Sequence, residues 1–250
     1  MIKLLPDSRD ARFYNVQDLA KLTDMSESAN GSPQGDEPKT KGTRSGRRSV
    51  LGHVKMSGQR SNIPEMFKVK VLVLGPCESG KTVLSNFLAD ATEMSGDYMP
   101  TQGVRILEFE NNGLNVGGRT VNAEVELWDC SGDHKFEQCW PAIQQETNGV
   151  LLVFNPDQPN HDKELETWYS HFVSQQGMKD SQCLAFAHHK PSTSDKARGH
   201  LSSLLSKVTV VHSNIDEDGD SVRQEFSNFL TNILSTMSDN RDKEELSIIS

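Results

Sequence analysis

No apolar run in this chain approaches the roughly 20 residues that a membrane-spanning helix requires. The opening "MIKLLPDSRD" breaks too early with proline and charge to be a secretory leader. Cysteine is sparse: Cys77, Cys130, Cys139 and Cys183 form no C-x-x-C pair, and no histidines gather around them. That excludes a zinc ribbon or a disulfide framework and points to a reducing compartment. Basic residues are scarce where the chain is most structured. Residues 1–67 hold 11 Lys and Arg against 8 Asp and Glu, which leaves 15 against 27 for residues 68–250. A face that binds nucleic acid needs the opposite balance, so no nucleic-acid partner is expected.

Large apolar residues are nearly missing from residues 25–62, which are dense in Ser, Gly, Pro and charge. Such a stretch cannot bury enough surface to offset its ordering entropy, so disorder is predicted. Within it, "KTKGTRSGRRSVLGHVKMSGQR" carries seven Lys and Arg and no acid. A solvated tail is preferred here to a docking patch. Residues 10–24 carry Phe13, Val16, Leu19, Ala20 and Leu22 at near-helical spacing, so a short helix is predicted. The domain reading is an extension over 1–66, a globular domain over 67–238 and a tail over 239–250.

What the chain does contain is "GPCESGKT" at residues 75–82, a match to G-x-x-x-x-G-K-[ST]. The preceding "KVKVLVL" is a nearly continuous apolar run rich in Val and Leu, the pattern of a strand buried on both faces. The following "TVLSNFLAD" places Val83, Leu84, Phe87 and Leu88 on one helical face. Strand, loop and helix thus come in the order a phosphate-binding loop needs. Its N–H groups and the helix start point at a phosphate, Lys81 neutralises charge, and Thr82 offers a hydroxyl to Mg²⁺. Gly75, Glu78, Ser79, Gly80, Lys81, Thr82 and Val83 are therefore candidate nucleotide contacts.

A second motif, "WDCSG" at 128–132, ends another strand. Asp129 there can hold the Mg²⁺ water shell and the Gly132 N–H can reach a terminal phosphate. Between the two motifs, "YMPTQG" places Thr101 in a loop from which its hydroxyl can close over Mg²⁺. Thr82, Thr101 and Asp129 are the candidate metal set. Two loops that both sense one phosphate make a device whose shape reports hydrolysis.

"VRILEFE" and "VNAEVELW" alternate apolar and polar residues, as strands with one wet face do, and "NNGLNVGGRT" between them suits a hairpin. Further strands are predicted at 149–155, 183–189 and 207–213, and helices at 137–147, 161–175 and 220–238. Ser221 with Gln224 is a candidate capping box for the last helix. Alternating strands and helices predict an α/β fold: a six-stranded, mainly parallel sheet with one antiparallel hairpin edge and helices on both faces. Trp128 and Trp140 read as packing or switch residues, and His188 and His189 as polar loop groups rather than metal ligands.

These stretches together resemble the Ras-like small GTPases over about residues 68–238. "PTQGVRILEFE", "ELWDCSGDHKFEQCWPA", "AHHKP" and "SDNRDKEELSIIS" are similar to a Rab-like branch found as a subunit of intraflagellar transport complex B. The resemblance implies a small-GTPase-like P-loop fold with GTP or GDP and Mg²⁺ as cofactors. It also implies docking on coiled-coil subunits of that complex, in the cytoplasm, the cilium or flagellum, and its base.

Departures from the family pattern qualify this. Asp133 stands at the catalytic position where such enzymes use Gln to orient water, so slow or no intrinsic hydrolysis is expected. In place of N-K-x-D the chain has "HHKPS": Lys190 can cover the base, while His189 replaces the Asn and Ser192 the Asp. Ser213 and Asn214 are candidates for the final base loop. The ending "SIIS" and Ile2 lead to the expectation of no lipid anchor. Phe136 and Trp140 are candidate partner-facing residues. Two other readings stand beside the transport subunit: an efficient regulatory switch, and a small-molecule phosphotransferase with "SDKARGH" as its lid.

Overall fold

The computed structural model describes residues 2–4, 12–14, 64–91, 99–189 and 203–249. Its centre is the predicted six-stranded sheet. β3 (Glu65–Leu74) lies between β5 (Arg119–Cys130) and β6 (Gly149–Phe154), and β7 (Cys183–His188) and β8 (Thr209–Ser213) extend the parallel run. β4 (Val104–Val116) pairs antiparallel with β5 and forms the hairpin edge. The hairpin arms run longer than the alternation indicates and close through Gly117 and Gly118, with φ of 58° and 80°. Two consecutive positive φ values suit the tight turn that matches strand twist.

That edge carries two additions from the amino-terminal extension. β1 (Ile2–Leu4) and β2 (Arg12–Tyr14) pair antiparallel with β4, with Ile2 opposite Asn111 and Arg12 opposite Ile106. The helix expected over 10–24 is thus corrected at residues 12–14. A long edge strand presents a row of unpaired backbone groups, and satisfying them outweighs a weak local periodicity. The rest of the extension, including the basic segment, lies outside the described residues.

α1 (Lys81–Leu88) and α4 (Ile215–Ile249) cover one face of the sheet, where Leu84 and Leu88 meet Phe226, Leu230 and Ile233. α2 (Trp140–Ile143) and α3 (His161–Tyr169) cover the other, with Ile143, Leu165 and Trp168 buried. The helix expected over 137–147 is instead a 3-10 segment, His134–Cys139, followed by the single turn of α2. Pro141 lies at the start of that turn, where its missing N–H costs nothing. α3 passes into a π turn at Ser170–Ser174, so the 161–175 expectation holds in extent.

The capping box is corrected. Ser221 and Gln224 sit inside α4, and Gln224 donates to Asn228 at 3.0 Å, one turn onward. The helix begins at Ile215 with Asp216, Glu217 and Asp218 in its first turn, where acids suit the dipole. Non-helical backbone at Asp218 separates that turn from the long run. Residues 239–249, read as a tail, continue the helix. Arg241 pairs with Glu65 and lies 5.2 Å from the Phe67 ring, so the helix end is tied to the start of β3.

Candidate functional site

β3, β5, β7 and β8 end along one edge of the sheet, on either side of the point where strand order reverses; ligands of such sheets sit there. β3 leads into the phosphate loop. Gly75 has φ of 145°, and a Cβ at this position would lie 2.1 Å from the Val153 carbonyl oxygen. Gly80 has φ of 90°, and its Cβ would fall 2.3 Å from His188 Cδ2. Both positions require glycine. Glu78 takes a left-handed φ of 59° between them. Lys81 opens α1 and is buried; its Nζ donates to the carbonyls of Gly75 at 2.9 Å and Pro76 at 2.6 Å. Burial lowers its pKa, and the Asp129 charge opposes that shift. Ser79 Oγ is buried without a partner among the described residues, while Val83 is half-exposed.

The three residues of the expected metal set come together from three separate segments. Thr82 Oγ1 donates to Asp129 Oδ2 at 2.8 Å, Thr101 Oγ1 does so at 3.3 Å, and the two hydroxyls are 3.0 Å apart. Asp129 is fully buried. Burial raises its pKa, and bonds from Thr82 and the nearby Lys81 and Arg105 charges pull it back. Its Oδ1 has no partner among the described residues. A buried carboxylate oxygen left unpaired beside two hydroxyls is a hard-oxygen donor set that fits Mg²⁺ or its water shell. The two loops are also tied directly, by a 2.8 Å bond from the Ser131 N–H to the Gly103 carbonyl.

Gly132 lies flush against the phosphate loop: a Cβ there would sit 2.5 Å from the Cys77 nitrogen. Asp133 is turned elsewhere. Its carboxylate caps the 3-10 segment, accepting from the Lys135 N–H at 3.0 Å, and pairs with Lys135 Nζ at 2.9 Å. Those bonds hold its pKa below the usual carboxylate range. Trp140 is corrected as a partner-facing residue. It is 7% exposed and packed among Trp168 at 4.8 Å, Phe172 at 5.2 Å and His171 at 4.8 Å between ring centroids. Phe136 remains partly exposed beside Lys135.

On the base side, His188 rather than His189 holds the buried position. It ends β7, packs under Gly80, and bonds Ser213 Oγ through Nδ1 at 3.0 Å. Burial lowers its pKa. Ser213 is 1% exposed and engaged with His188, so it braces the loop rather than facing a base. Asn214 receives the Asp216 N–H on its side chain at 3.2 Å. Beside the phosphate loop these elements enclose a cleft of ≈ 570 Å³, walled by α1 on one side and the ends of β7 and β8 on the other. Lys190, Ser192 and the "SDKARGH" stretch lie outside the described residues.

A family model described as "Ras of Complex, Roc, domain of DAPkinase" matches residues 70–190. The chain is 54% identical over 186 residues to the intraflagellar transport protein 22 homolog of Danio rerio, across 74% of this chain and all of that relative. The chain belongs to the intraflagellar transport protein 22 family. Two crystal structures from the same family agree. The GDP-bound T. brucei IFT22 structure is 29% identical with a TM-score of 0.50, covering 68% of this chain and 98% of that one. The GTP-bound T. brucei IFT22/74/81 structure is 28% identical with a TM-score of 0.51, at the same coverage of both chains.

In this member of the intraflagellar transport protein 22 family, two residues of the site escape a motif reading. His188 braces the phosphate loop against the base loop. Arg105 lies opposite Asp129 across the hairpin, is buried, and donates to Asn86 of α1. Its charge opposes the burial penalty on Asp129. The signal was present in the pattern, since Arg105 shares its strand face with Leu107 and Phe109, where a charge needs a reason.

Proposed function

We propose that this chain is a nucleotide-responsive, GTPase-like subunit of intraflagellar transport complex B. In this reading it binds GTP and GDP, docks on coiled-coil subunits of the complex, and acts in the cytoplasm, in the cilium or flagellum, and at its base. The observation that carries the reading is the convergence of Thr101 and Asp129 on Thr82, directly behind the Lys81 loop. The relatives' names supply the transport setting, and the IFT22/74/81 complex supplies the kind of partner.

Thr82, Thr101 and Asp129 are the residues that would hold Mg²⁺, whose charge would neutralise the phosphates. Lys81, the N–H groups of residues 78–82 and the start of α1 would orient the phosphate chain. Closing the Thr101 loop on Asp129 excludes water from this buried corner. Nucleotide therefore stabilises one arrangement of the two tied loops, and a partner that prefers that arrangement binds more tightly.

The expected result for Thr82→Asn is loss of nucleotide retention and a fall in partner affinity of about 5- to 150-fold, the usual range of coupling between sites. Co-purification with the partner coiled coil and recruitment to cilia report it. Unchanged partner affinity in a folded variant that binds no nucleotide would show a purely structural role.

An efficient switch is disfavoured by Asp133, whose carboxylate is turned to Lys135 and which has no amide to orient the attacking water. Single-turnover hydrolysis by the wild type should be very slow. Asp133→Gln should speed it by about tenfold or more, since an amide can both donate to and accept from the attacking water. A variant no faster than wild type removes Asp133 as the cause.

A further inference from the structure

The guanine-reading carboxylate expected after β7 is missing from "HHKPS", yet a carboxylate reaches the base cleft from another element. Val83, Asn86 and Phe87 of α1 form one wall, and His188, Asn214 and Asp216 stand on the other. Two acids line the space. Asp90 is paired with Arg223 at 2.5 Å, and that guanidinium lies 4.3 Å from the Phe87 ring centroid, so the charge of Asp90 is already answered.

Asp216 differs. Its N–H is bonded to the Asn214 side chain, which sets it in the first turn of α4, while its carboxylate has no ion pair or hydrogen bond among the described residues. The histidine on the same wall is already engaged, His189 Nε2 lying 3.1 Å from His212 Nδ1.

We propose that Asp216 selects guanine, its carboxylate accepting from the N1–H and the exocyclic amine of the base. Base selectivity then resides in the segment after β8 rather than in the segment after β7. The inference rests on the guanine-nucleotide reading above. Its chemistry is discriminating. Guanine offers two adjacent donors on this edge, where adenine offers an acceptor beside a C–H, so a carboxylate attracts the first and repels the second.

Titration of wild type, Asp216→Asn and Asp216→Ala with GTP, ATP and xanthosine triphosphate tests it, with Glu217→Gln as a control for charge outside the cleft. Asp216 is exposed, and thermal melts verify that each variant stays folded. Wild type should prefer GTP. Both Asp216 variants should lose about 10- to 100-fold in GTP affinity, the loss of one charge-assisted pair. Asp216→Asn alone should gain about tenfold for xanthosine triphosphate, because its amide donates to the carbonyl that replaces the amine. Glu217→Gln should stay within about twofold of wild type. A GTP-selective wild type whose selectivity is unchanged in both Asp216 variants overturns this inference alone. A wild type that binds GTP no better than ATP overturns the guanine reading and the inference together.

Discussion

Lys81→Ala is expected to lower guanine-nucleotide affinity by about a hundredfold or more while the chain stays folded. The Lys81 ammonium is buried and donates to the Gly75 and Pro76 carbonyls. A buried cation whose direct contacts are neutral carbonyls gains strongly when an anion arrives, because its desolvation has already been incurred. Each charge-assisted bond to phosphate contributes about 1.5 to 3 kcal/mol, and an ammonium at this position makes about two. At about 1.4 kcal/mol per factor of ten, their loss reaches a hundredfold or beyond. The two carbonyls belong to buried residues that water would reach only through the space the side chain vacates, so some stability is lost while affinity falls further. Calorimetric titration with GTP and GDP, paired with a thermal melt, separates the two effects. Affinity within about threefold of wild type would mean that the loop does not bind phosphate through this lysine.

Gly75→Ala should strike stability first and binding as a consequence. The added methyl would sit 2.1 Å from the Val153 carbonyl oxygen, on a strand paired on both sides, so neither backbone has room to shift. The φ of 145° adds strain that an L side chain rarely accepts. Overpacking of this kind costs typically 1 to 3 kcal/mol, and the backbone conformation adds about 1 to 2 more. For a chain of this size each kcal/mol moves the melting temperature by about 2 to 4 °C, so a drop of about 10 °C is expected. Gly113→Ala supplies the contrast. Its φ is 80°, but nothing lies within 4 Å of the added Cβ, so only the backbone part should appear. Equal melting temperatures for the two variants would remove the contact with Val153 as the cause.

The sheet and the phosphate corner were legible in the residues. The run before Gly75 is buried continuously from Val71 to Leu74 because a central parallel strand is covered on both faces there, which favours an unbroken apolar run. The meeting of three side-chain oxygens was legible for a related reason. Thr82, Thr101 and Asp129 each sit a fixed step from the end of an element that the pattern locates, so folding the elements brings the oxygens together. Helix extent was less legible where local signals compete. Residues 137–147 read as one helix, but the capped 3-10 segment His134–Cys139 takes up their start and α2 ends after the single turn that opens with Pro141 near its first position. The hairpin arms outran their alternation because a bulge near Asn111 to Leu114 interrupts the period without ending the pairing.

By itself the sequence determined the order of the central strands and helices, the glycine-rich loop between β3 and α1, and the oxygens that meet each other. Tertiary structure alone decided the rest. It chose His188 over His189 as the buried brace, placed Trp140 in the interior, turned residues 12–14 into an edge strand, and bound the helix end at Arg241 to Glu65. It also set Asp216 in the cleft between α1 and the ends of β7 and β8, opposite a helix more than a hundred residues earlier in the chain. The physical reason is common to all of these. Periodicity and motif spacing act within about one element, whereas an unpaired strand edge, an enclosed ring or a carboxylate without a partner exists only after distant segments have been packed together.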